Sequence, residues 1–406
     1  MPLIQPFRAL RPAPGRAAEV LAPPYDVLSS AEARVRAKGK PWSFLHISKP
    51  EIDLDPAISP YDDAVYAKGA ANLQRMEREG VLIRDAAPAY YVYRLTWRGH
   101  VQTGLAAAAS VADYEMNRIR KHELTTPTKE DDRVRQIEAL NAETGPVMIA
   151  WRGAPEIAAM LARAADGTSD MDVTADDGVR HQMWVIRDAA AIARLTAAFD
   201  AQDALYIADG HHRSAAAARV AAARGANPGA AAYFLAVIFP EEEMTILDYN
   251  RVLTSLNGLT VEALLAALAK AFTVTPSATE VRPAARGEFG MVLAGGWYKL
   301  ALRAELIPDD PIGRLPVTLL SRHVIAPLFG ITDQRTDKRI DFVGGGRGLG
   351  ELERRVKSGE MTVGFALCPT EMADLIAVAD AGKIMPPKST WFEPKLADGV
   401  VSHVLD

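Results

Sequence analysis

Apolar and polar positions along this chain alternate between strand-like runs and helical periodicity. From Tyr61 to Gly80, Val65, Leu73 and Met76 fall on one side of a helix, which Gly80 can end. YYVYRLTW alternates as a strand, and GLAAAASVADY predicts a second one running to Asp113. TGPVMIAW and HQMWVI read as strands, each followed by a helical segment, PEIAAMLARAA and DAAAIARLTAAF. ALYIADG is a strand that feeds straight into the helix SAAAARVAAARG, and AAYFLAVIF is a further strand. WSFLHI, within a proline-rich first stretch, predicts a short strand.

After Pro240 the pattern continues. LTVEALLAALAKAF, VTLLSRHVIAPLFG, GELERRVKSG and TEMADLIAVADAG are helical, and RIDFVGG and MTVGFALC are strands. EFGMVLAGGWYKLAL predicts a hairpin turning at Gly295-Gly296. Several strands follow one another without a helix between them. That favours an α+β (mixed α/β) fold over a pure doubly wound sheet. A break near Glu241 divides the chain into regions 1–240 and 241–406, although one integrated domain satisfies the pattern too.

Composition narrows the class. At 406 residues the chain has room for two or three domains, and 49% hydrophobic residues give it a substantial core. A net charge of −5 argues against a dedicated nucleic-acid binder, which needs a basic face. The single cysteine, Cys368, excludes an internal disulfide; at the end of an apolar run it reads as a buried structural residue. The N-terminus lacks the charged and apolar regions of a signal peptide, and no apolar run approaches the ~20 residues that span a bilayer. A soluble, cytoplasmic protein without a membrane partner is expected. Homodimerisation is left open.

The densest chemistry lies at Asp209-Gly210-His211-His212-Arg213, where a strand turns into a helix. Free backbone N–H groups and the helix dipole favour an anion there. Gly210 permits close backbone approach, Arg213 offers a planar fork to phosphate oxygens, and His211 and His212 can donate or shuttle protons. Asp209 could hold Mg²⁺, orient a histidine, or serve only as a helix cap. Adjacent histidines at a helix start point in different directions, so they make poor joint metal ligands.

A second polar stretch, KHELTTPTKEDDR, reads as a loop because Pro127 interrupts any helix. In it Glu123 is a candidate general base, and Lys129 and Arg133 are candidates for neutralising phosphate charge. A merely solvated charged loop explains the same residues. In MPPKSTWFEPKL, the rigid loop around Lys388, Ser389 and Thr390 suits phosphate without matching a Walker A frame. GGGRGLG lacks dinucleotide-fingerprint spacing and reads as a flexible turn. Tyr25, Asp26 and His46 sit on rigid segments and, taken singly, read as structural.

Taken in order, APPYDV, SFLHI, IRKHELT with KEDDR, ADGHHR and MPPKSTWFEPKL resemble a widespread prokaryotic family, catalogued as domain of unknown function 1015. The resemblance runs from Pro23 to about Leu405. ADGHHR is also similar to the phosphate-binding turn of free-serine kinases of the ParB/sulfiredoxin fold. That likeness implies a ParB/sulfiredoxin-like core with additional α/β elaborations. It implies that Asp209 to Arg213 contact nucleotide phosphates, while a separate glutamate deprotonates a serine hydroxyl. That glutamate has no motif to carry it over, so Glu123 is taken from its loop. The expected activity is transfer of a phosphoryl group from ATP or ADP, with Mg²⁺, to free L-serine. A non-catalytic nucleotide-binding regulator and a phosphohydrolase are the alternatives, since both use the same cradle. Sulfiredoxin chemistry is disfavoured, because His211 stands where those proteins carry a cysteine.

Overall fold

The computed structural model describes residues Met1–Asp406 and has a mixed α/β fold. It divides into two compact units: Met1–Met244 with Pro394–Asp406, and Thr245–Glu393. The chain leaves the first unit after Met244. The last thirteen residues, assigned by the pattern to the C-terminal region, return to the first unit.

The first unit is built on a nine-stranded mixed sheet. Its order is Ile119–Arg120, Leu205–Asp209, Val147–Trp151, Tyr233–Pro240, His100–Ser110, Tyr90–Trp97, Arg180–Ile186, Met171–Thr174, with Ile4–Gln5 added against His100–Ser110. The middle strands are near-continuous apolar runs because both faces are covered; every residue of Tyr233–Pro240 is buried. One face packs Leu105, Ile149, Trp151, Ile207 and Ile238 against Leu195 and Phe199 of the helix Ala189–Asp200. Each such side chain, fully buried, contributes roughly 1.5–3 kcal/mol. A four-stranded sheet in the same unit pairs Leu82–Arg84, Ala9–Pro12, Ser402–Val404 and Ala142–Glu143.

The second unit holds a six-stranded antiparallel sheet. The expected hairpin is there as Glu288–Leu293 and Gly296–Leu302. Thr245–Leu247 pairs antiparallel with Trp391–Glu393, so the two ends of this unit meet. No helix of the molecule is long and apolar enough to cross a membrane.

Two local expectations are corrected. WSFLHI does not form a strand: Leu45–Ser48 is a short helix. Phe44, Leu45 and Ile47 are its buried apolar residues, an i, i+1, i+3 pattern that fits a helical face and not a period of two. Pro127 does not interrupt a helix; it starts the helix Pro127–Leu140. At the first helical position its missing N–H has no intrahelical partner to lose, and its fixed φ is already helical. Lys129 and Arg133 therefore stand on a helix one turn apart and not on a loop.

Candidate functional site

Two parallel strands of the first unit end side by side. Ile119 pairs with Leu205 and Arg120 with Tyr206. Beyond the pairing, one chain continues into Lys121-His122-Glu123 and the other into Asp209-Gly210-His211. Sheet register therefore brings together two motifs that lie nearly ninety residues apart in sequence.

Gly210 makes the turn possible. Its φ of 98° lies in the left-handed region, and a Cβ there would stand 3.0 Å from Nε of Arg213. The helix His211–Ala223 begins at once, and no side chain caps it. Arg213 folds back over the turn. Its guanidinium donates to the Pro146 carbonyl and lies 3.6 Å from Asp209 and 3.8 Å from Asp26. Lys395, from the returning tail, donates to Asp209 at 3.2 Å.

Burial alone would raise the Asp209 carboxyl, but Lys395 and Arg213 outweigh it and hold Asp209 well below the usual carboxylate range. Its other oxygen accepts the Gly210 N–H at 3.0 Å. Each oxygen of Asp209 thus accepts one hydrogen bond, which leaves a lone pair on each.

The two histidines diverge. His212 Nε2 accepts the Thr126 N–H at 3.1 Å, which ties the turn to the start of the helix Pro127–Leu140. His211 turns inward against His122, ring centroids 4.4 Å apart and edge to face. The His122 N–H donates to His211 Nε2 at 3.4 Å. Burial, reinforced by His122, holds His211 well below its ordinary value, and burial pushes His122 down to about 4. Both rings are neutral near pH 7. Glu123 completes the group: one donor atom from each of His122, Glu123 and His211 lies within 4.8 Å of the others.

Beside the turn opens a cleft of about 300 Å³, whose lining includes Tyr25, Asp26, Lys129, Asp132, Arg133 and His212. Arg133 is held by Asp132 at 2.6 Å and stacks over the Tyr25 ring at 3.9 Å. Burial pushes the Tyr25 hydroxyl up to about 12, so it stays a neutral donor. Sequence reasoning gave Tyr25 and Asp26 structural roles, yet both face this cleft. His46 does serve structure, pairing with Asp53 at 2.7 Å.

His122 and Asp398 carry no role that the sequence alone assigns. His122 was one polar residue among many in its segment. Asp398 sits in an apolar tail, where an acidic residue inside a buried run was the available signal. It is buried, accepts the Tyr25 N–H at 3.2 Å, and burial pushes its carboxyl up to about 7.

Lys388, Ser389 and Thr390 belong to the second unit. There Ser389 donates its hydroxyl to the Pro386 carbonyl at 2.6 Å, and Lys388 adopts φ 57° while its carbonyl accepts from Arg251. These contacts rigidify the loop.

Fold and site together define a mixed α/β protein with a strand–turn–helix junction beside a cleft lined by both cationic and acidic side chains. The chain belongs to the family described as protein of unknown function DUF1015, whose model matches residues 4–318. No curated protein matches it. Among solved structures it is similar to a free serine kinase in complex with AMP, at 11% identity, covering 73% of this chain and 91% of that one, with a TM-score of 0.36. It is also similar to a conserved hypothetical protein from Pyrococcus furiosus, at 14% identity, 73% and 94% coverage and a TM-score of 0.35. SbnI from Staphylococcus aureus, with a C-terminal truncation, shares 13% identity over 73% of this chain and 86% of that one, with a TM-score of 0.38.

Proposed function

We propose that this protein is a nucleotide-dependent phosphotransferase that acts on the hydroxyl of a small molecule, with free L-serine as the first acceptor to test. The observation that carries this reading is the uncapped helix start at Gly210–His211 beside a cleft lined by Lys129, Arg133 and His212. Phosphoryl transfer asks a protein mainly for positioning and charge neutralisation. The first-turn N–H groups and Arg213 hold phosphate oxygens, while Lys129 and Arg133 offset charge in the cleft. Asp209 keeps Arg213 and Lys395 aligned.

The acceptor oxygen bonds to the terminal phosphorus of ATP or ADP as the bridging P–O bond breaks. The nucleotide leaves one phosphate shorter, and the hydroxyl proton passes to the Glu123 carboxylate. Mg²⁺ arriving on the nucleotide's phosphates supplies further charge neutralisation. We place no step on a protein-held Mg²⁺.

Phosphorus NMR of the full chain with ATP or ADP, Mg²⁺ and a panel of free amino acids tests the reading. Appearance of O-phosphoserine supports it, and E123Q then lowers turnover at least ~100-fold with nucleotide affinity retained. Tight nucleotide binding without turnover selects a regulator. Free phosphate without a phosphorylated acceptor selects a phosphohydrolase.

A further inference from the structure

His122 is 1% exposed, and the one polar contact of its ring, to the Ile207 backbone, falls outside normal hydrogen-bond geometry. A buried imidazole so weakly engaged calls for an explanation. Next to it stand His211, 5% exposed, and the Glu123 carboxylate, the three donor atoms lying within 4.8 Å of one another. The His122 amide N–H lies 3.4 Å from His211 Nε2 and points at that nitrogen's single lone pair, so a metal ion bound there displaces this long contact.

We infer that His122, Glu123 and His211 form a binding site for one divalent transition-metal ion of the Zn²⁺ class. Two neutral imidazoles and one carboxylate make a borderline donor set, which suits Zn²⁺, Co²⁺ or Fe²⁺ and disfavours the all-oxygen preference of Mg²⁺. Tetrahedral Zn²⁺ with ligands at ~2.0–2.2 Å places donor atoms roughly 3.4 Å apart, so the three groups need only a modest inward rotation. The backbone restricts that motion. His211 is the first residue of a helix, and His122 and Glu123 follow a strand registered to the one that precedes that helix. Three protein ligands leave the fourth position to water or another exogenous donor.

The site overlaps the one proposed for phosphoryl transfer, but its test does not depend on that reading. A Glu123 bound to metal cannot accept a proton, so a Zn²⁺-loaded protein loses transfer through that base.

The experiment uses tag-free full-length protein, stripped with chelator, reloaded with Zn²⁺ or Co²⁺, desalted, and assayed for bound metal without nucleotide. The expected result is one ion per chain, a visible Co²⁺ absorption band, and no displacement by excess Mg²⁺. H122Q, E123Q and H211N each weaken binding at least ~100-fold. Circular dichroism establishes which variants fold, and E123Q, at a partly exposed position, keeps the test informative if the buried histidine variants do not. Failure of the wild-type protein to retain Zn²⁺ or Co²⁺, or unchanged binding in the folded variants, overturns the inference and leaves the phosphotransfer reading standing. Metal binding without transfer in the metal-free protein overturns only the latter.

Discussion

At the scale of single residues, the turn rests on Gly210. Any other residue there must hold φ near 98° and press its Cβ toward the Arg213 guanidinium. We expect G210A to destabilise the protein by about 1–2 kcal/mol in urea unfolding and to weaken nucleotide binding, because Arg213 is displaced from Pro146 and Asp209. Unchanged stability would show that the turn relaxes without cost. A second residue-scale expectation concerns Asp398, whose carboxyl is raised from 3.8 to about 7 in the folded protein. A raised carboxyl binds more protons folded than unfolded. Its contribution is therefore complete below about pH 4 and lost as pH rises toward about 7. D398N mimics the protonated form, so it should gain stability relative to wild type as pH rises through this window. Thermal melts of both proteins at several pH values across it check the sign. A difference that shrinks with rising pH is the wrong result. Of these residues, Gly210 and its neighbours were legible because one short segment carries the whole motif. His122 and Asp398 were not, since their partners are brought by sheet register and by a tail that returns from far along the chain.

At the scale of elements, the cleft depends on how two helices pack. Pro127–Leu140 carries Lys129 and Arg133, and His211–Ala223 carries His212 and Arg213. Ile137 of the first meets Ala216 and Val220 of the second in one buried cluster. Ala216 has no exposed surface, so the small side chain sets the spacing. Exposed pairs from Arg219 to Glu130 and Asp131 add little by comparison. A216L should cost about 1–3 kcal/mol by overpacking, and should weaken nucleotide affinity by spreading Lys129 and Arg133 from His212. Urea unfolding and calorimetry with ADP read the two effects separately. Loss of stability with full affinity would mean that the cleft does not depend on this spacing. Long apolar strands and strongly periodic helices were readable in advance because burial on both faces or on one stripe leaves its mark on composition. WSFLHI and the segment around Pro127 misled for a local reason. A six-residue apolar run fits either period, and a proline ends one helix as readily as it begins another.

At the scale of the whole molecule, the second unit is an insertion in chain order. The chain leaves the first unit after Met244 and re-enters it at Pro394. Thr245 and Glu393 are partners in an antiparallel ladder, a relation that puts their Cα atoms about 5 Å apart. A two- to four-residue glycine–serine linker is long enough to replace everything between Met244 and Pro394. Every cradle and cleft residue, from Tyr25 to Arg213, and Lys395 and Asp398 as well, lies in the first unit. The excised protein, residues 1–244 joined to 394–406, should therefore fold cooperatively with the circular-dichroism spectrum of a mixed α/β protein. It should bind ADP within about threefold of the full chain. Residues 245–393 should fold separately around their own cluster of Val252, Val292, Leu352 and Val356, and should not bind ADP. If the excised first unit folds but loses ADP, the second unit supplies part of the binding energy. The Lys388–Thr390 loop, read from sequence as a phosphate contact, then becomes the first place to substitute. If the excised unit keeps full affinity, the phosphate cradle is complete within the unit that contains Asp209 to Arg213.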